Sequence, residues 1–260
     1  MKRVVVTAIA VLTSLTMALP AFAQEDARIH LIHGIPDTPV DVSVDGSNVI
    51  EGFEFGDTQD LSSFAGQTLV NLQVKVAGTE DVAIDGGDVA LPASGNITVI
   101  AHLDEAGTPT LGIFTNDTSE IAAGEGRLTV RHTAAAPTVD VKADGAVAFA
   151  GLAPAAEASA DLPVGTVSAE VVPAGADEPV VIGPADLGIE DGASLIVYAV
   201  GSLEGESLTV LTETITGLGS APSAVNTGNS PTSTPVVPML AGLAAVALAA
   251  AFTRKLVTQS

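Results

Sequence analysis

Between residues 28 and 216 the chain carries several runs in which apolar side chains recur at every second position. Val40, Val42 and Val44 alternate with Asp41 and Ser43; Val70, Leu72, Val74 and Val76 alternate with Asn71, Gln73 and Lys75; Ile97, Val99, Ala101 and Leu103 alternate with Thr98, Ile100 and His102. A two-residue period rich in β-branched side chains predicts half-buried strands. Each run closes on a turn signal, such as Asp45-Gly46, Ala77-Gly78 or Asp85-Gly86-Gly87-Asp88. Further strands are expected around Val167, Ala169 and Val171, over Ser194–Val200, and over Leu208–Leu211. No helical period appears outside two apolar segments at the ends, so the fold class is all-β.

The pattern is written twice. R-I-H-L-I-H-G-I-P-D-T-P-V-D-V-S-V-D-G at residues 28–46 returns as R-L-T-V-R-H-T-A-A-A-P-T-V-D-V-K-A-D-G at 127–145, an offset of 99. Farther along the offset becomes 97, matching Gly78 with Gly175, Gly86 with Gly183, Gly95 with Gly192 and Leu111 with Leu208. One two-residue deletion accounts for that change. About six or seven short strands per copy predict two tandem immunoglobulin-like β-sandwich domains, at 24–117 and 127–216. Residues 118–126 (T-S-E-I-A-A-G-E-G) are small and polar and are expected to link them. Residues 217–235, built of Gly, Ser, Ala, Pro, Thr and Asn, are expected to form a flexible stalk.

The ends predict an exported, tethered chain. A basic start at Lys2-Arg3, an apolar run and the small-x-small site Ala21-Phe22-Ala23 form a signal peptide over residues 1–23. Val236 to Phe252 is uncharged and followed by Arg254-Lys255, which predicts a transmembrane helix over 236–253 and a cytoplasmic tail over 254–260. Ala224-Val225-Asn226-Thr227-Gly228 before that run is similar to a degenerate cell-wall sorting signal, cut between Thr227 and Gly228, though Leu and Pro are missing from its first positions. The chain has no cysteine, so no disulfide holds the exported domains.

Charge narrows the partners. All 31 acidic residues lie between Gln24 and Val237, against five basic ones there (Arg28, Lys75, Arg127, Arg131, Lys142), a net of −26. Such a surface repels nucleic acid and anionic lipid headgroups. Aromatic residues make up 3 % of the chain, with no Trp and one Tyr, which disfavours a stacking platform for sugars or bases.

The motif R-x-x-x-x-H, a short Pro-containing turn and V-D-V-x-x-D-G resembles the opening of the bacterial exported family called domain of unknown function 4397, over roughly residues 27–216. The resemblance implies a signal peptide, β-rich repeats and a surface or secreted location, and carries no known catalysis. In the second copy Thr133-Ala134-Ala135-Ala136 replaces Gly34-Ile35-Pro36-Asp37, which argues against a shared binding turn.

Candidate chemistry is sparse. His33 and His132 fall on the inward side of their strands, where an imidazole is expected to bond a turn backbone group or the recurring carboxylate, Asp41 or Asp140. His30 points to the opposite face and is Thr129 in the second copy, which argues against a His-x-x-His metal site. Asp41, Ser43, Asp45, Gly46 and Glu51 imitate a calcium loop, but the glutamate falls one position early and Lys142 occupies a would-be ligand position in the second copy. Glu80-Asp81, Asp85 and Asp88, or Glu190-Asp191 near Asp186, are the looser candidates for calcium. Asn96-Ile97-Thr98 and Asn116-Asp117-Thr118 match glycosylation acceptors, by accident in a bacterial-looking chain. No nucleophile elbow, phosphate-cradling loop or His-Glu-x-x-His appears. The expectation is a non-enzymatic surface interaction or structural module without assigned catalytic, cofactor or metal residues. Its partners would be the membrane, through the C-terminal helix, and a cell-envelope polymer or surface protein. A receptor for a small ligand or divalent cation is the alternative, and an exported hydrolase stands third.

Overall fold

The structure, a computed structural model, describes residues 27–220. The signal peptide, most of the stalk, the sorting-like segment, the transmembrane helix and the tail expected above lie outside the described residues. Among the described residues the one helical piece is a 3-10 turn, Ser62–Phe64, and no helix is long and apolar enough to cross a membrane.

Sixteen strands fall into two sets of eight. The first set is β1 (Arg28–His33), β2 (Val40–Val44), β3 (Ser47–Phe53), β4 (Thr58–Asp60), β5 (Thr68–Val76), β6 (Val82–Ala90), β7 (Asn96–Leu103) and β8 (Pro109–Asn116). The second is β9 (Glu125–His132), β10 (Val139–Ala143), β11 (Ala146–Leu152), β12 (Glu157–Pro163), β13 (Gly165–Pro173), β14 (Ile182–Ile189), β15 (Ser194–Val200) and β16 (Thr209–Ile215). The first set forms two sheets ordered β4-β1-β7-β8 and β3-β2-β5-β6, and the second repeats both orders as β12-β9-β15-β16 and β11-β10-β13-β14.

Each set is a sandwich. Ile29 and Leu31 of β1 and Ile97, Val99 and Ala101 of β7 meet Val40, Val42, Leu72, Val74 and Ile84 of the facing sheet. Leu128, Val130 and Val197 meet Val139, Val141, Val171, Leu187 and Ile189 in the second. The strand order, however, is not that of an immunoglobulin domain, which packs ABED on CFG with seven strands. Here there are eight, and β1 lies inside its sheet, antiparallel to β4 and parallel to β7. The extra strand is β4, whose three residues Thr58-Gln59-Asp60 are all exposed and carry no apolar alternation.

Two local readings are also corrected. Asp85-Gly86-Gly87-Asp88 is not a terminating turn but the middle of β6, where the register against β5 shifts between Leu72 and Gln73. Asn71 (φ 48°) and Gly87 (φ 59°) take up the irregularity, and the Asn71 amide donates to Asp88 Oδ1 at 2.9 Å. The single-deletion account of the offset is incomplete as well. Pairing of Asp60 with His30 and of Ser159 with Thr129 keeps the offset at 99 through β4 and β12. Val76 and Pro173, opposite Val40 and Val139, put β5 and β13 at 97. The 3-10 turn occupies the longer connection of the first set, and the second set replaces it with a longer β12. Ladder pairings then return the offset to 98 at β7 and β15 and to 99 at β8 and β16, so Leu111 corresponds to Val210 rather than Leu208.

The faces of β7 and β15 that turn away from the two cores do not meet water. Ile32 and Ile100 from the first half pack with Ile196, Tyr198 and Val200 from the second, edged by Phe55, Phe114, Leu211 and Ile215. The connecting residues are docked as well. Ile121 is fully buried and pairs with Gly219; its amide donates to Leu218 O (2.8 Å), and its carbonyl accepts from Ser220 N (2.9 Å).

A seam of this kind makes the two halves unfold together. Ile100→Ala, at a side chain with no exposure, is expected to cost about 2–5 kcal/mol in one cooperative denaturant transition reported by probes in both halves. Two separable transitions, with only one moved by the substitution, would contradict the seam.

Candidate functional site

The repeated motif explains itself once its partners are seen. Asp45-Gly46 and Asp144-Gly145 have positive φ at both residues (48° and 75°, 51° and 80°), as a two-residue hairpin between β2 and β3, or β10 and β11, requires. Asp41 Oδ1 accepts the Gly52 amide at 2.8 Å and Oδ2 the Gly78 amide at 3.0 Å. Asp140 does the same with Gly151 at 2.6 Å and Gly175 at 2.8 Å. Each carboxylate therefore ties the end of one hairpin arm to the β5–β6 or β13–β14 turn. The glycine and neighbouring-strand amides hold both carboxyls below the ordinary range, with the Gly78 or Gly175 amide as the larger cause.

The histidines of the motif are also spent on the backbone. His33 Nε2 donates to Thr38 O at 2.7 Å, and His132 Nε2 donates to Pro137 O at 2.9 Å. These fix the turns that lead into β2 and β10, as the inward placement predicts. Burial pushes the His33 imidazole below its usual value, against the opposing pull of the Thr38 carbonyl and Asp57. His33 also stacks on Phe53 with ring centroids 5.7 Å apart. The altered turn of the second copy, Thr133 to Ala136, is buried in place, and Thr133 Oγ1 donates to Ala199 O at 2.9 Å.

The proposed calcium clusters are divided among other partners. Glu80 pairs with Lys75 at 2.8 Å, Asp88 takes the Asn71 amide, and Asp191 accepts the Gly124 amide at 2.7 Å. Lys142 binds Asp177 at 2.8 Å. Among the described residues no three His, Asp or Glu side chains converge as metal ligands.

What the motif did not announce is a polar network at the centre of the seam. Arg131, 1 % exposed, projects from β9 away from its own core. Its guanidinium donates to Glu157 Oε2, Tyr198 OH and, from the first half, Asn116 Oδ1, each at 2.8 Å. It also lies over the Phe114 ring, 4.4 Å from the centroid. Tyr198 OH donates onward to Glu213 Oε2 at 2.8 Å. Glu213 in turn receives Thr98 Oγ1 (2.9 Å) and faces His30 Nδ1 (2.6 Å), both from the first half. Burial raises the Tyr198 hydroxyl far above its ordinary value, so it stays a donor. His30, discounted as a ligand because it faces away from His33, faces this seam.

Two openings lie on the surface of the described residues. One, of about 260 Å³, lies among the loops Glu105–Gly107, Ala135–Pro137 and Ser202–Glu204. The other, of about 710 Å³, runs along the seam beside Arg28, Ser62, Asn96, Thr118 and Thr216.

Residues 27–142 match the family model described as Domain of unknown function (DUF4397). The match supports the family resemblance carried by the motif. It covers the first sandwich, the connecting residues and the strands β9 and β10 almost to their end. Among curated proteins, none matches the chain.

Two outcomes follow for the pH and seam chemistry. His33 and His102 are both held below 6.5 by burial, so the neutral folded forms stabilise above that pH, and stability falls as pH drops from about 6.5 through their folded values. The depressed Asp41 and Asp140 carboxyls add a second loss in stronger acid, where they become protonated in the fold. Melting temperature should therefore be flat above neutrality and fall in two stages below it, with the first stage reduced in His33→Gln. Glu213→Gln, which puts an amide NH₂ among donors, should lower the unfolding free energy by about 1–3 kcal/mol in urea titration. Wild-type stability in that variant would mean the network is not formed.

Proposed function

We propose that the chain is a non-enzymatic surface module, a stiff and acidic pair of β-sandwiches tethered through residues 236–253 and presented to a cell-envelope polymer or surface protein. In this reading residues 127–216 are a second copy of the family domain. The repeated strand orders and the twin Asp41 and Asp140 contacts support that copy.

One observation carries the reading: the buried Arg131 and the half-buried Glu213 of the second half find part of their hydrogen bonding on Asn116, Thr98 and His30 of the first. Swinging the halves apart would strip those charges of their first-half partners and expose the Ile32–Ile100–Ile196 contact. A pair held in one orientation suits presentation at a distance from a membrane. The histidines and aspartates of the repeated motif are engaged by backbone groups, which supports a structural use for them. The 710 Å³ opening favours the second reading, a receptor for a small ligand.

The test is retention of envelope components from the source cells by the full-length chain reconstituted in vesicles, with calcium and with chelator. The expected result is saturable retention of one polymer or protein by vesicles carrying the chain and none by bare vesicles. Loss in chelator would bring calcium into the contact. Retention of nothing under either condition would overturn the presentation reading and leave the small-ligand receptor.

A further inference from the structure

Arg28 and Arg127 open the two copies of the motif, and ladder pairing places them at equivalent points, opposite Asn96 and Ser194. Their surroundings differ in one respect. Arg127 is 6 % exposed and holds Asp161 through two bonds, Nε to Oδ1 at 2.7 Å and Nη2 to Oδ2 at 3.1 Å. Its Nη1 reaches Asp117 Oδ2 at 2.9 Å and Ser119 Oγ at 3.1 Å. One guanidinium thus takes two carboxylates, one from β12 and one from the residues that follow β8.

The same construction around Arg28 lacks both acids. Extending the β1–β4 ladder, in which His30 faces Asp60, places Ser62 where Asp161 stands. Extending β16 past Ile215, the counterpart of Asn116, places Thr216 where Asp117 stands. Ser62 and Thr216 line the 710 Å³ groove together with Arg28 and Asn96. Arg28 is exposed and has no hydrogen bond or ion pair to a side chain among the described residues. A polar groove therefore occupies the place where the twin half holds its carboxylates. It carries the planar, always charged donor fork that suits a carboxylate.

We propose that the Arg28 groove is a carboxylate-binding site, the open counterpart of the filled Arg127 site. Glu120 also lines the groove, so its charge opposes multiply charged anions and favours a single carboxylate carried by an otherwise neutral group. The inference is independent of the presentation reading and would stand if no envelope partner were found. Two sources can supply the group: a soluble ligand, or Glu25 and Asp26, which directly precede Ala27 at the groove.

The experiment is side-chain and amide NMR of the full-length chain in detergent micelles, titrated with N-acetylglycinate. The expected result is a saturable shift of the Arg28 Nε–Hε signal and of the Gly95 and Gly217 amides, with the Arg127 signal unmoved. In Arg28→Gln the amide shifts should vanish, while the rest of the spectrum reports an intact fold. A response absent from the wild type but present in Glu25→Gln/Asp26→Asn assigns the site to the chain's own acids, which the titrant then replaces. Absence of a saturable response in both proteins would overturn the proposal, as would shifts that persist in Arg28→Gln.

Discussion

Strands β7 and β15 have no face turned to water. Nearly every residue of Asn96–Leu103 and Ser194–Val200 is buried, the inward ones in their own sandwich and the outward ones against the other half. A sheet covered on one side would leave Ile100, Ile196 and Val200 as an exposed apolar stripe, at a cost on the order of 25 cal/mol per Å² left in water. The two sheets that carry these strands cover one another. The rest of the described architecture accommodates that packing: the connection through Ile121 is docked, and the residues after β16 return to pair with it.

The sequence pattern was legible where a strand is rich in β-branched apolar side chains or a turn needs a special backbone. The alternations at Val40–Val44 and Leu72–Val76, the strand at Ser194–Val200 and the turn at Asp45-Gly46 appear in place, whereas Val70, counted onto the buried face, is exposed because the bulge at Asn71 buries Leu69 instead. The inward placement of His33 and His132 followed from counting along the strand, and their bonds to turn carbonyls are of the expected kind. Legibility failed where a strand carries no such apolar pattern or a bulge breaks it. Strand β4 is exposed throughout, so nothing in Thr58-Gln59-Asp60 distinguishes a short edge strand from a loop. In β6 the glycine pair looked like a turn because a bulge needs the same backbone freedom as a turn.

The seam was invisible for a different reason. Ile100 and Thr98 occupy the positions that a one-sided sandwich gives to solvent, and Arg131, Tyr198 and Glu213 would be unremarkable there. An unbroken apolar-tolerant run such as Asn96–Leu103 is the signal of a strand covered on both faces. It does not say what covers it. Only the meeting of residues more than a hundred positions apart, Thr98 with Glu213 and His30 with Glu213, turns ordinary surface residues into a buried network.

The two halves meet through equivalent strands but not equivalent side chains. Ladder pairing sets Ile32 against Arg131, Ile100 against Tyr198 and Phe114 against Glu213 as counterparts. At these three counterpart positions the first half is apolar and the second hydrogen-bonding, although Ile196 and Val200 of the second half and His30, Thr98 and Asn116 of the first also enter the seam. Arg131 lies on the Phe114 ring while its N–H groups reach Glu157, Tyr198 and Asn116. Apolar contact alone tolerates sliding, because a displaced isoleucine still finds carbon. A desolvated guanidinium and carboxylate do not tolerate it, because each displaced donor or acceptor is left unpaired. The polar network therefore fixes the register of the seam, while the apolar contacts of Ile32, Ile100, Ile196 and Val200 hold it closed. The same division separates the two arginines of the motif: in the second half Arg127 meets its carboxylates, and in the first Arg28 faces a groove that lacks them.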